Sequence, residues 1–177
     1  MNYKEQVIDV IDYPKPGIVF KDLTPLWSNS KTFGNLINDM TAPWLDKKVN
    51  VVASIESRGF IIGAPVAEKL GAGFLPLRKP NKLPRDTFSE NFDLEYGSTS
   101  IHVHKDAIGS HNNVLIIDDL LATGGTAIAA YNLMKRFPYT NIVGFGFIAE
   151  LNFLKGREKL INSCNNSMID SIIQYAN

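Results

Sequence analysis

The sequence predicts an α/β fold in which a mostly parallel central sheet is flanked by helices, and three observations predict it. Short β-branched and leucine-rich runs at residues 49–55, 74–77 and 114–117 alternate with stretches of helical periodicity, the strand–helix–strand rhythm of right-handed crossover units. The run Val114, Leu115, Ile116, Ile117 is unbroken, as a parallel strand covered on both faces requires. A length of 177 residues with 45% hydrophobic content suffices for one compact domain and is short for two, so a single domain over residues 1–177 is expected.

Taken in order, Tyr3, Val7, Val10 and Ile11 share one helical face, and the cluster Pro14, Pro16, Gly17 ends that segment, so a helix is expected over residues 3–11. Phe33, Leu36, Ile37 and Met40 mark a second amphipathic helix, closed near Pro43. Residues 49–55 form the first core strand, followed by the turn Glu56-Ser57-Arg58-Gly59, a helix to about Leu70, and a strand at 74–77. Over residues 78–92 the pattern breaks into a polar segment interrupted by Pro80 and Pro84. Inside a compact domain such a stretch is either disordered or a functional lid. Ile101 and Val103 alternate with His102 and His104 in a strand with one polar face. The His-x-His pair has no evident third ligand, which favours a solvated face over a metal site. Gly144 and Gly146 fall inside a further strand.

Composition narrows the partners. Lys plus Arg equals Asp plus Glu at 18 each, so no overall basic field attracts nucleic acid, and no basic helix suggests a membrane surface. Cys164 is the only cysteine; it is expected as a small buried side chain in a protein of the reducing cytoplasm. The opening MNYKEQVIDVIDY carries charges through its apolar positions and lacks a signal-peptide core, and no apolar run approaches a membrane span.

The chemistry concentrates in VLIIDDLLATGGTA, residues 114–127. Asp118 and Asp119 fall at the carboxyl end of a buried strand, where open α/β sheets bind ligands. Ala122, Thr123, Gly124, Gly125 and Thr126 then supply successive backbone N–H groups, two hydroxyls and the start of a helix, all favourable to a phosphate dianion. A Walker A loop would carry Lys after its glycines, where Thr126 and Ala127 stand here, and no G-x-G-x-x-G joins a strand to a helix. One phosphate in a turn beside two carboxylates placed for vicinal hydroxyls describes a ribose 5-phosphate.

This stretch resembles the phosphoribosyl diphosphate (PRPP) binding loop of the type I phosphoribosyltransferases. Further segments are similar to the adenine branch of that family: YPKPGIVFKDLTPLW (13–27), IESRGFIIGAPVAEKLGAGFLPLRKPNKLP (55–84), LEYG (94–97) and AELNFLKGREKL (149–160). The resemblance implies a small N-terminal base-binding hood, about residues 1–30, and a mobile lid, about 79–96. It implies transfer of the phosphoribosyl group from PRPP to adenine, giving AMP and diphosphate in purine salvage. It assigns Ser57 and Arg58 to the diphosphate, with a cis Glu56–Ser57 peptide, and Arg78, Lys79 and Lys82 as further cations for PRPP. Glu95 becomes the catalytic carboxylate, as proton shuttle or electrostatic stabiliser, with Tyr96 beside it in the lid. Adenine is assigned to Val19, Phe20, Lys21 and Leu151. Lys21 stands where Arg is common, a point charge in place of a planar fork, and Asn81 and Arg85 stand where the lid often has Gly.

Mg²⁺ is expected as cofactor, bound mainly through the diphosphate of PRPP and water with no protein metal cage, and the resemblance implies a homodimer. Two alternatives stay open at the level of the residues: a transferase for hypoxanthine, guanine or xanthine, and a non-catalytic PRPP-sensing regulator. Leu120, Leu121 and Ala122 offer no donor to a 6-oxopurine, which leans towards adenine.

Overall fold

The computed structural model describes residues 1–94, 97–165 and 167–176. The chain divides into two compact units, Met1–Asp39 and Met40–Asn177.

In the first unit the expected helix over residues 3–11 is replaced. A 3₁₀ turn, Lys4–Gln6, leads into β1 (Ile8–Ile11), which pairs antiparallel with β2 (Val19–Asp22) in the register Ile8↔Asp22 to Ile11↔Val19. The Pro14, Pro16, Gly17 cluster is the hairpin loop and not a helix stop: Asp12 and Gly17 take positive φ (60° and 88°), and the Gly17 amide donates to Asp12 Oδ1 at 2.7 Å. Ile8, Val10 and Ile11 are β-branched, and cross-strand pairing overrides the helical period that Val10 and Ile11 happen to share with Tyr3 and Val7. Directly opposite on the ladder, Lys21 Nζ and Asp9 form an ion pair at 2.7 Å. α1 (Thr24–Ser28) and α2 (Ser30–Thr41) follow, the second as expected from Phe33, Leu36, Ile37 and Met40.

In the second unit, β3 (Val51–Ile55), α3 (Arg58–Leu70), β4 (Gly73–Leu77), β7 (Asn113–Leu121), α4 (Gly125–Met134), β8 (Asn141–Leu151), α5 (Gly156–Ser163) and β9 (Met168–Tyr175) build a five-stranded parallel sheet in the order β4-β3-β7-β8-β9. β5 (Thr87–Leu94) and β6 (Gly97–His104) form a separate antiparallel hairpin, tied to β4 through the bridge between Arg78 and His102. All five residues of β3 are buried, as are Val114 to Ile117 of β7, which is what an unbroken apolar run demands of a doubly covered strand.

Each sheet face has its own filling. Val51, Ala53 and Ile55 pack in the cluster that contains Ala127, Ala130 and Leu133 of α4, whereas the alternate residue Ser54 meets α3, its hydroxyl within hydrogen-bond distance of the carbonyls of Gly59 (2.8 Å) and Ile117 (3.1 Å). A Cβ on Gly63 would collide with Ser54 Oγ, so glycine there lets α3 lie close on the sheet. Cys164 is fully buried, and burial pushes its thiol up to about 11, so it packs and stays protonated.

The broken pattern at residues 78–92 resolves into two parts. Irregular chain runs from the bridge at Arg78 to Asp86, but from Thr87 onward it is strand. Phe88 and Phe92 pack on the core, and Glu90 between them bonds Asn132 and Arg136. A period-2 signal was therefore present, hidden because its middle inward member is charged. Among the described residues no helix is long and apolar enough to cross a membrane.

Candidate active site

From β3 the chain crosses over α3 to β4 on one side, and from β7 it crosses over α4 to β8 on the other. Crossovers that leave adjacent strands in opposite directions open a crevice at the carboxyl ends of those strands. Pairing of β3 with β7 stops at Ser54↔Ile117, while β7 continues along β8 from Asp118↔Phe147 to Leu121↔Glu150. Asp118 and Asp119 are thus the first residues of β7 beyond its β3 partner. A cavity of about 410 Å³ lies there, lined among others by Glu56, Ser57, Arg58, Lys79, Asp118, Asp119 and Thr126.

The turn after β3 works through side chains. The Glu56–Ser57 peptide is cis, and Arg58 opens α3. Arg58 Nε lies 2.7 Å from Asp119 Oδ2, with Asp119 only 7% exposed at its side chain. Burial raises Asp119 above the usual carboxylate range and the Arg58 guanidinium counters it; Asp118 is pushed well above that range by burial and then by the neighbouring Asp119 charge. The Asp119 amide donates to Asp118 Oδ1 at 2.9 Å. Gly59 permits this closeness: a Cβ there would stand 3.0 Å from Asp118 Oδ1 and 3.2 Å from the Ile117 carbonyl.

The turn after β7 works through the backbone. Gly124 caps α4 at φ 82°, a conformation that favours glycine, and Gly125 begins the helix. Gly156, at the head of α5, braces the turn from behind. A Cβ on Gly156 would collide with the Ala122 carbonyl, and one on Gly124 would lie 2.9 Å from the Gly156 carbonyl. Farther out, Glu150 and Arg157 hold the end of β8 to α5 by hydrogen bonds of 2.6 to 3.1 Å, and Arg157 also donates to the Ile169 carbonyl and Ser171 of β9.

Of the residues singled out from sequence, Ser57, Arg58, Lys79, Asp118, Asp119 and Thr126 share the cavity wall. Ala122, Thr123, Gly124 and Gly125 form the adjoining turn into α4. Arg78 reaches the wall through Glu56, to which its Nε donates at 2.9 Å. Lys82 is exposed on the irregular chain before β5. Val19, Phe20 and Lys21 belong to the first unit, where Phe20 packs edge-on to Tyr13 with centroids 5.2 Å apart. Leu151 ends β8 in the second unit. Glu95 and Tyr96 lie outside the described residues. Sequence reasoning missed Glu56, which accepts from both Arg78 and the Lys79 amide, and Gly156, although a glycine between Lys155 and Arg157 at a helix start was a visible signal. On the same wall, Phe92 comes from the strand whose pattern was hidden, and Thr99, Ser100 and Ile101 from its hairpin partner, of which residues 101–104 were legible.

A family model described as the phosphoribosyl transferase domain matches residues 30–152. The chain belongs to the phosphoribosyltransferase family. Among its relatives, an adenine phosphoribosyltransferase of Thermobifida fusca is 51% identical over 154 residues, 87% of each chain. The crystal structure of an adenine phosphoribosyltransferase from Thermoanaerobacter pseudethanolicus superposes with a TM-score of 0.91 at 41% identity, covering 98% of each chain. That of the Giardia lamblia enzyme, complexed with 9-deazaadenine, gives 0.91 at 37% identity over 99% of this chain and 97% of its own. The parallel sheet and its flanking helices are thus those of a type I phosphoribosyltransferase.

Proposed function

We propose that this phosphoribosyltransferase carries the 5-phosphoribosyl group from PRPP to adenine, releasing AMP and diphosphate in purine salvage. The observation that carries the reading is one cavity lined by Arg58, Asp118, Asp119 and Thr126, with the glycine turn at the head of α4 beside it. Relatives named for the adenine reaction, and a neighbour that holds an adenine analogue, support adenine as the base.

In this reading the N–H groups and hydroxyls of Ala122, Thr123, Gly124, Gly125 and Thr126 hold the 5-phosphate. Asp118 and Asp119 accept from the ribose hydroxyls. Ser57, Arg58, Arg78, Lys79 and Lys82 serve the diphosphate. As the bond from ribose C1 to the diphosphate oxygen lengthens, positive charge grows on the sugar and negative charge on the leaving group, so fixed cations on one side and carboxylates on the other both stabilise the transition state. A base nitrogen then forms the new bond to C1. The donor set at the cavity fits a shared rather than a caged metal, since Asp119 is already taken by Arg58. Mg²⁺ bound mainly through diphosphate and water would supply further neutralisation. Val19, Phe20 and Lys21 are assigned to the base, and Glu95 is assigned to proton transfer or electrostatic support. A homodimer in the cytoplasm completes the reading, the latter supported by one buried, protonated thiol.

Turnover of PRPP with adenine, hypoxanthine, guanine and xanthine tests the proposal. Adenine is expected to be consumed at least a hundredfold faster than the others. Equal use of a 6-oxopurine, or no turnover with any base, overturns it.

A further inference from the structure

A carboxylate on the wall of a cavity built for a diphosphate is an electrostatic contradiction, because it repels the ligand that its neighbours attract. Glu56 is such a carboxylate. Its surroundings show what it does instead. The Glu56 amide donates to the Leu77 carbonyl at 2.9 Å, which fastens the end of β3 to the end of β4. Its Oε2 accepts from Arg78 Nε and from the Lys79 amide, each at 2.9 Å. Arg78 is held further by its backbone, whose N–H and carbonyl both pair with His102 at 2.9 and 2.8 Å, and its guanidinium lies 5.9 Å from the centroid of the Phe60 ring. Nε is the nitrogen that Glu56 takes, so the terminal nitrogens of Arg78 are the donors left to an anion.

We propose that Glu56 is a positioning residue for PRPP: by gripping Arg78 and the Lys79 backbone it sets the cations of this strand end, and the start of the lid segment, in register with the diphosphate. The inference rests on the phosphoribosyltransfer reading and adds a residue that carries no substrate contact of its own in it. The Arg78 hydrogen bond, with help from the Lys79 amide and the Lys82 charge, holds the Glu56 carboxyl below its ordinary range, so the grip persists at neutral and mildly acid pH.

The test compares Glu56→Ala and Glu56→Gln with the wild type in steady-state kinetics, in calorimetric binding of inorganic diphosphate with Mg²⁺, and in trypsin cleavage after Lys82 without substrate. Glu56→Ala is expected to raise KM for PRPP about tenfold and to weaken diphosphate binding by a similar factor, with kcat and the KM for adenine within about twofold and faster cutting at Lys82. Glu56→Gln keeps a neutral acceptor and is expected to recover most of that loss. Adding Glu56→Ala to Arg78→Ala should worsen KM for PRPP less than it does in the wild type. An unchanged or lowered KM for PRPP overturns the proposal, as does an equal rise in both KM values with a fall in kcat and melting temperature. If the wild type binds diphosphate but turns over no purine, the catalytic reading fails while the binding arm still decides the role of Glu56. If it binds no diphosphate, both fail.

Discussion

The turn after β3 and the turn after β7 leave neighbouring strands at the same end of the sheet, yet they are made of different material. Glu56 and Arg58 present long charged groups that pair with other side chains, Arg58 with Asp119 and Glu56 with Arg78. Residues 122–126 contain nothing larger than threonine and offer backbone, pressed against the head of α5. A side-chain turn can lose one group and keep its shape, so its function degrades by degrees. A backbone turn has no removable part, and any added atom shifts all of its N–H groups together.

The sharpest way to break the comparison is therefore an added methyl group. Gly156→Ala drives a Cβ into the Ala122 carbonyl; a backbone displacement approaching 1 Å at a binding turn costs on the order of a hundredfold in rate. Steady-state kinetics should show kcat/KM for PRPP falling by at least that factor, although residue 156 touches no proposed substrate atom. A wild-type value would show that the turn yields. Arg58→Ala is next. Losing a charge-assisted contact costs about 1.5–3 kcal/mol, roughly ten- to a hundredfold in kcat/KM, with the fold intact by circular dichroism; retention of more than half the activity would remove Arg58 from the site.

Asp118→Asn should cut PRPP affinity by about tenfold while making the chain more stable. Its carboxyl is raised above the ordinary value of 3.8 in the folded chain, so the folded state holds that proton more tightly than the unfolded one. Its contribution to stability is full below the unfolded value and is lost as pH rises through the raised folded value. The asparagine variant should thus melt above the wild type at neutral pH, with the gap closing towards pH 4. A wild-type advantage at pH 7 would contradict the assignment. The smallest effect is expected at the proposed lid, where Lys82 and Arg85 are exposed: PRPP with Mg²⁺ should slow tryptic cutting there several-fold and adenine alone should not, as read by mass spectrometry.

How much of this was legible in sequence follows the physics of each region. The buried strands were plain because double coverage leaves an unbroken apolar run. The Asp118–Asp119 pair and its glycine turn stood out by residue type and spacing alone, and the structure puts the pair on the cavity wall with the turn beside it. The β1–β2 hairpin was misread since Tyr3, Val7, Val10 and Ile11 satisfy a helical period by coincidence, and only pairing with Val19–Asp22 settles the matter. The hairpin strand β5 was hidden because Glu90, bonded to Asn132 of α4 and to Arg136 just beyond it, interrupts the apolar alternation of Phe88 and Phe92. Glu56 and Gly156 act through neighbours distant in sequence, Arg78 and Ala122, and no local pattern announces such a partner.

Ser54 lies beneath both turns, with one hydroxyl facing the carbonyl of Gly59 on α3 and that of Ile117 on β7. It pins the start of α3 to β7, so Arg58 and Asp119 meet across a gap set inside the sheet and not at the surface. A ligand that engages both must come between groups already in contact. For the proposed substrate this makes binding an exchange, in which the Arg58–Asp119 pair gives way to contacts with the diphosphate on one side and the sugar hydroxyls on the other.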